Sequence, residues 1–326
     1  MEPYIQDWLD ILSEMSTTNT YKLAFGLGIL ECISTNRYKE NAFDVEVTLM
    51  DIGDCMIRYY WNQCFFFRLK QQPGDKVPII YQQVEALIHR YKQLSSSEIP
   101  VWCDEGLSII QSQDPSFLTK VRQKVAKTIP EHVGWRFKNV NGGIKDVYAF
   151  DPDRDTSIYF KKQHVLLLMD YAPILSKLFS YKWSQLLEKW NESPRLLGKV
   201  IGASNEAIDR HSLHKFIKPL SLEFGHGPIL DFYTHKPIPE QDLSIDHVIP
   251  WSYIYSDNIW NLVFTTKSNN SRKSNSTPSP SDINRLKARN TNLFPLLDGQ
   301  FQKDMEESFT SNLVDRYYFG LTRSYL

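Results

Sequence analysis

The residues best suited to do chemistry are concentrated in 242–275. They run Asp242-Leu-Ser-Ile-Asp246-His247-Val-Ile-Pro250, then Trp260-Asn261-Leu-Val-Phe, then Ser268-Asn269-Asn270-Ser271-Arg272-Lys273. Asp246 and His247 are adjacent on a short apolar strand, where neighbours point to opposite faces. They can serve one site only where that strand ends or bends, and Pro250 favours such a bend. Asn261 follows His247 by fourteen residues, at the start of a second apolar run, and Asn270 follows nine residues later in a polar, basic segment. Hard divalent cations take oxygen ligands, and Asp246 and Asn270 can each offer one. An imidazole such as His247 accepts a proton from water near neutral pH. Lys267, Arg272 and Lys273 stand close to Asn270 in the chain, where a phosphodiester backbone would need neutralising. Together these are the parts of metal-assisted phosphodiester hydrolysis.

The whole pattern, Asp246-His247-Val-Ile-Pro, Trp260-Asn261-Leu-Val and Asn270-Ser-Arg-Lys-Ser, resembles the HNH endonuclease motif. Its spacing is also that of the HNH nuclease domain of CRISPR RNA-guided endonucleases. Its wider context, including Leu286-Lys-Ala-Arg289-Asn290, is more similar to bacterial stand-alone HNH nucleases. The firm resemblance spans about 229–290 and implies a ββα-metal finger. It further implies that His247 is the general base and that Asp246 and Asn270 hold one Mg2+ or Mn2+ ion. Asn261 would brace the loop and orient His247, and the products would carry 5′-phosphate and 3′-hydroxyl ends. The expected function is a DNA endonuclease of bacterial anti-phage defence or restriction, with RNA as an open second substrate. A non-catalytic nucleic-acid-binding or assembly subunit and a homing or mobile-element nuclease are the alternatives. Many relatives flank the motif with Cys-x-x-Cys pairs for a structural zinc. Here those places read Asp231-Phe-Tyr-Thr and Ser268-Asn269-Asn270, so no structural zinc is expected. Packing by Phe232, Trp251, Tyr253 and Trp260 is expected to hold the finger instead.

The elements that must carry this constellation are mostly helical. Apolar periodicity predicts helices following Thr20, over about 43–65, 78–93, 115–127, 163–178, 180–191 and 204–217. The runs 144–150 and 157–160 read as a β-hairpin around Asp151-Pro152-Asp153-Arg154-Asp155. That loop is not a calcium loop, because Thr156 and Lys162 stand where glycine and a carboxylate are required. The aromatics Tyr59-Tyr60-Trp61 and Phe65-Phe66-Phe67 read as core. Ser193-Pro194 is a plausible seam. The expected class is therefore α+β, in two parts. One is a mainly α-helical recognition or assembly domain over 1–194 with a small β-hairpin. The other is an HNH nuclease domain over 195–326, with its core at 229–290 and flanking helices.

The 326 residues are 42% hydrophobic and 23% charged, which excludes a mostly disordered chain and a small disulfide-stapled scaffold. A net charge of -1 argues against a polybasic nucleic-acid binder and leaves room for a local basic groove. Cys32, Cys55, Cys64 and Cys103 form no metal-binding pair and read as buried thiols of a reducing compartment. The first residues do not read as a secretory signal, and no run of apolar residues is long enough to span a membrane. A cytoplasmic location follows as the expectation. A homodimer contact, or a dock for a partner subunit, is expected to lie in the N-terminal domain.

Overall fold

The computed structural model describes residues 2–74, 76–191, 193–201 and 212–322. The N-terminal part is built on helices α1 (Pro3–Glu14), α2 (Tyr21–Ser34), α3 (Leu49–Phe65), α4 (Ile79–Ser95), α5 (Cys103–Gln113), α6 (Pro115–Ile129), the short α7 (Trp135–Phe137), α8 (Lys162–Glu188) and α9 (Leu196–Ile201). Helix α2 is apolar on every side, and Leu23, Ala24, Phe25, Ile29, Leu30 and Ile33 are all buried, which makes it the central helix. Gly26 lets α8 come close: a β-carbon there would collide with the Phe179 and Phe137 rings. Trp8, Trp61 and Trp183 are fully buried around it. Side chains of this size each contribute roughly 1.5–3 kcal/mol on leaving water. The aromatics at 60–61 and 65–67 are buried in this core as well, in line with their reading.

Three local expectations are corrected. The stretch ahead of α3 is a strand, because Val45 and Val47 alternate with Asp44 and Glu46 and bury only their own face. Thr48 then caps α3, accepting a hydrogen bond from the Asp51 N–H. The sheet order is β1 (Lys39–Glu40), β2 (Asp44–Thr48), β5 (Ser157–Lys161), so 157–161 pairs antiparallel with β2, far away in the chain. Among the described residues its one backbone pairing with 144–150 is the isolated Ala149–Tyr159 bridge. A separate two-residue hairpin joins β3 (Asn139–Val140) to β4 (Gly143–Ile144). The two helices expected over 163–191 are one continuous helix, α8. Its Pro173 sits on the exposed side of the helix. The helix expected over 204–217 falls largely outside the described residues, and 213–216 forms a short 3-10 turn.

The C-terminal part contains α10 (Ile217–Ser221), β6 (Leu243–His247), α11 (Trp251–Ile254), β7 (Leu262–Thr266), α12 (Lys267–Lys273), α13 (Pro280–Leu293), α14 (Gly299–Thr310) and α15 (Leu313–Thr322). It has its own apolar cluster, including Val248, Ile249, Tyr253, Trp260, Leu262 and Leu286. Leu196 and Val200 of α9 pack into the first cluster. Tyr255 also belongs to the first cluster, with its ring 5.8 Å from that of Phe67. Lys199 is fully buried where the two clusters meet, its Nζ 4.1 Å from the centre of the Tyr253 ring and 2.6 Å from Ser193 Oγ. Burial pushes its pKa well below the ordinary lysine value. The chain is thus mostly helical, with small sheets. Among the described residues no helix is long and apolar enough to cross a membrane.

Candidate active site

Strands β6 and β7 form an antiparallel hairpin with Asp246 opposite Val263 and His247 opposite Leu262. Helix α12 begins at the residue after β7, capped by Thr266, whose hydroxyl accepts from the Asn269 N–H. Asn270 therefore sits one turn into α12, alongside β6. Its Nδ2 donates to Ser244 Oγ at 2.9 Å and to the Ile245 carbonyl at 3.2 Å. Because that carbonyl can only accept, the network orients the amide and turns Oδ1 away from the strand.

His247 is the last residue of β6, so the strand ends where the sequence requires an end. Asp246, His247, Trp251, Asp257, Asn270 and Asn275 line one cleft of about 280 Å³. A larger cavity of about 500 Å³ lies among the N-terminal helices, beside Glu31, Arg58 and Tyr59. Its Glu31 and Arg58 are already engaged, since Glu31 accepts from Arg37, Arg58 and Tyr59. The smaller cleft is the one that gathers groups able to act on a substrate.

Around the cleft, each motif residue has a distinct setting. The Asp246 side chain is almost buried, and its Oδ2 accepts from Tyr233 Oη at 2.6 Å and lies 3.1 Å from Lys273 Nζ. Burial and the neighbouring carboxylate push the Tyr233 pKa up, so this hydroxyl stays a donor. Lys273 Nζ also donates to the His247 carbonyl at 2.7 Å. Asn261 is fully buried behind the cleft, and its side-chain amide pairs with both the N–H and the C=O of Ile249, each at 2.8 Å. Its own carbonyl accepts from the Val248 N–H. Asn261 thus pins the loop that follows His247 and makes no hydrogen bond to the imidazole itself. His247 Nε2 lies 2.9 Å from Asp257 Oδ1.

Of the three basic residues expected at a phosphate backbone, Lys267 and Arg272 are exposed on α12. Lys267 Nζ donates to the Gln241 carbonyl, and Arg272 donates to Asn269 Oδ1. Lys273 instead turns inward to Asp246 and His247. Arg289 and Asn290 are buried and donate to the carbonyls of Leu262 and Trp260, fixing the entry to β7. Asp231, Tyr233 and Asp257 had drawn no functional reading from the sequence. The only signal for them was their type, since their roles depend on which loop folds back onto which strand.

Asp231 occupies a place where the family pattern often has a cysteine, and it is engaged in hydrogen bonds. It is 1% exposed, with both oxygens saturated. Its Oδ1 accepts from the Tyr233 and Thr234 N–H groups and from Thr234 Oγ1. Its Oδ2 accepts from Thr265 Oγ1, the Thr266 N–H and Asn269 Nδ2. Burial alone would raise its pKa. The bonds from Thr265, Asn269 and the Thr234 and Thr266 N–H groups outweigh burial and hold the carboxyl well below the usual range.

The donor set can be tested against a divalent ion. Among the described residues no group of three or more His, Cys, Asp or Glu is arranged to hold a metal. Asp246 Oδ1 and Asn270 Oδ1, however, make no hydrogen bond within the described residues, while both side chains face the same cleft. One carboxylate and one amide oxygen suit a small hard cation, which keeps most of its waters and shares substrate phosphates. The residues fit Mg2+ or Mn2+, and they do not fit a soft thiolate-seeking ion.

Residues 231–279 match the family model described as HNH endonuclease. No curated protein and no solved structure matches the chain. The matched segment takes in Asp231, the β6–β7 hairpin, the cleft and α12, together with every residue of the motif. That match makes 231–279 similar to an HNH endonuclease domain and points to a hydrolytic nuclease module, carried on a longer and mostly helical chain.

Proposed function

We propose that this chain is a divalent-metal-dependent DNA endonuclease acting in the cytoplasm in bacterial anti-phage defence or restriction. The observation that carries the reading is the convergence of His247, Asp246 and Asn270, from a strand end and a helix, on one polar cleft inside the matched segment. Asp246 and Asn270 would hold the ion, which supplies charge neutralisation at the scissile phosphate when bound. His247 takes the proton of the attacking water. Asn261 keeps the 247–250 loop in place through Ile249. Lys267 and Arg272, exposed on α12, receive the phosphate backbone. The products carry 5′-phosphate and 3′-hydroxyl ends.

In this reading the chain divides into a recognition or assembly module, 1–194, and a nuclease module, 195–326, with α9 carried on the first core. The N-terminal module supplies targeting, by a homodimer contact or a partner subunit, because a finger that reads mainly phosphates has little sequence information of its own. The defence role rests on the resemblance to bacterial stand-alone HNH nucleases. Incubation of supercoiled plasmid with the full chain and Mg2+ or Mn2+ tests the activity, with a chelator and His247→Ala as controls. Cleavage that needs metal and falls by about 10²–10⁴-fold in the variant, with DNA binding retained, is the expected result. A variant that cuts at the wild-type rate refutes the assigned base. Phage plating on cells expressing the wild type or the variant tests the biological role.

A further inference from the structure

The base of this site has a partner outside the motif. His247 Nε2 and Asp257 Oδ1 are 2.9 Å apart, and the two side chains are 13% and 14% exposed. An ionised carboxylate only accepts hydrogen bonds, so Nε2 must carry the hydrogen. The other ring nitrogen, Nδ1, has no hydrogen-bond partner among the described residues, and the ring lines the cleft. In a neutral imidazole with hydrogen on Nε2, the lone pair is on Nδ1.

We propose that Asp257 is a positioning residue that fixes the Nε2–H tautomer of His247, so that Nδ1 is the atom that receives the proton. The catalytic part of this claim rests on the nuclease reading above. In the step, the proton passes from water to Nδ1 and the water oxygen bonds to phosphorus. The bond from phosphorus to O3′ breaks, and O3′ leaves with its electron pair and is protonated by solvent. A carboxylate in this place also stabilises the imidazolium that forms.

The loop that bears Asp257 is held from both sides. Tyr255, two residues earlier, adopts a left-handed backbone with φ of 55° and is buried in the N-terminal core against Phe67. Asn258, the next residue, accepts from Ser256 Oγ at 2.7 Å, and its carbonyl accepts from the Asn261 N–H. The orienting carboxylate therefore stands on a loop anchored in the helical module, while the imidazole stands on the finger. Such support on rigid neighbours is what keeps a catalytic group in register.

The test uses the full chain, 15N-labelled and without substrate, in an imidazole 15N–1H correlation at about pH 8, where neutral rings dominate. Loss of its signals in His247→Gln assigns the His247 ring. The wild type is expected to show a protonated Nε2 and a bare Nδ1. Asp257→Ala removes the acceptor, and the isosteric Asp257→Asn preserves the shape of the loop while offering either an acceptor or a donor. Both tautomers are expected in each variant. With plasmid, kcat is expected to fall by about 10–10³-fold with KM unchanged. A wild-type ring protonated on Nδ1, or a ring that stays wholly Nε2–H in both variants, overturns the proposal. A wild type with the expected tautomer that cuts no DNA refutes the nuclease reading and the proton transfer with it, and leaves tautomer control by Asp257 standing.

Discussion

Replacing Asp231 tests what holds the 231–236 turn, β7 and α12 together. Its carboxylate accepts six hydrogen bonds, from the 233–234 turn, from the end of β7 and from the first turn of α12. In Asp231→Ala the hydroxyls of Thr234 and Thr265 and the Asn269 amide can find other partners. The N–H groups of Tyr233, Thr234 and Thr266 are fixed and cannot turn away. Each buried donor left unpaired costs about 1–3 kcal/mol, and partial access of water reduces the total. The expected loss is about 3–5 kcal/mol, comparable to removing one partner of a buried ion pair. Asp231→Asn is milder. Its oxygen can face the two N–H groups of the turn, leaving its NH2 opposed to the Thr266 N–H and the Asn269 amide donor, for about 1–3 kcal/mol. Urea unfolding followed by tryptophan fluorescence, with hydrogen exchange of the β6–β7 amides to localise the effect, measures both. The pH dependence has a defined sign. The folded-state pKa lies below the unfolded value of about 3.9, so the contribution is complete above about pH 5 and is lost as pH falls below about 4. The gap between wild type and Asp231→Asn should therefore close in acid. An Asp231→Ala protein within about 0.5 kcal/mol of wild type, with unchanged exchange in the hairpin, refutes the reasoning.

Three further substitutions probe the surroundings of the cleft. Tyr233→Phe removes the hydroxyl that holds Asp246 Oδ2 and should weaken Mn2+ binding by about 10–100-fold in calorimetry, with little change in fold. Asn261→Ala strands the N–H and C=O of Ile249 in a buried setting, and should cost about 2–4 kcal/mol in denaturant unfolding and lower kcat by loosening the His247 loop. Lys199→Met replaces a fully buried, desolvated amine with an apolar side chain of similar length and should stabilise the protein by about 1–3 kcal/mol near neutral pH. Because the folded-state pKa of Lys199 is depressed, wild type gains stability as pH rises towards the unfolded value of about 10.4, so this advantage should shrink in alkali.

The motif was legible because its chemistry is local. Asp246, His247 and Pro250 sit within five residues, and the runs that place Asn261 and Asn270 differ in pattern from their surroundings. The second layer was not legible, for a geometric reason. Whether Asp257 meets His247 depends on the left-handed turn at Tyr255, and whether Tyr233 meets Asp246 depends on the 231–236 turn folding over β7. Both are tertiary facts with no periodicity to reveal them. Lys273 shows the same limit, since a lysine next to arginine reads as surface charge, yet its position at the end of a short helix beside β6 aims it at Asp246. In the N-terminal module, β2 was taken into the following helix because its partner β5 is more than a hundred residues away. Such pairing has to overcome loop-closure entropy and leaves no local trace.

These second-layer contacts also tie the two apolar clusters to one another. The β6–β7 pair and α12 supply the imidazole and the proposed ion ligands, but the loop carrying Asp257 is fastened through Tyr255 to the helical core. Arg68 of that core donates to Thr277, just past α12, and Lys199 packs under Tyr253. The N-terminal helices thus touch the surroundings of the cleft through α11, the Asp257 loop and Thr277. Phe67→Ala, which removes the ring under Tyr255 without touching the cleft, should lower kcat more than it lowers affinity for plasmid. Equal loss in both would mean that the helical core only binds DNA and does not position the site.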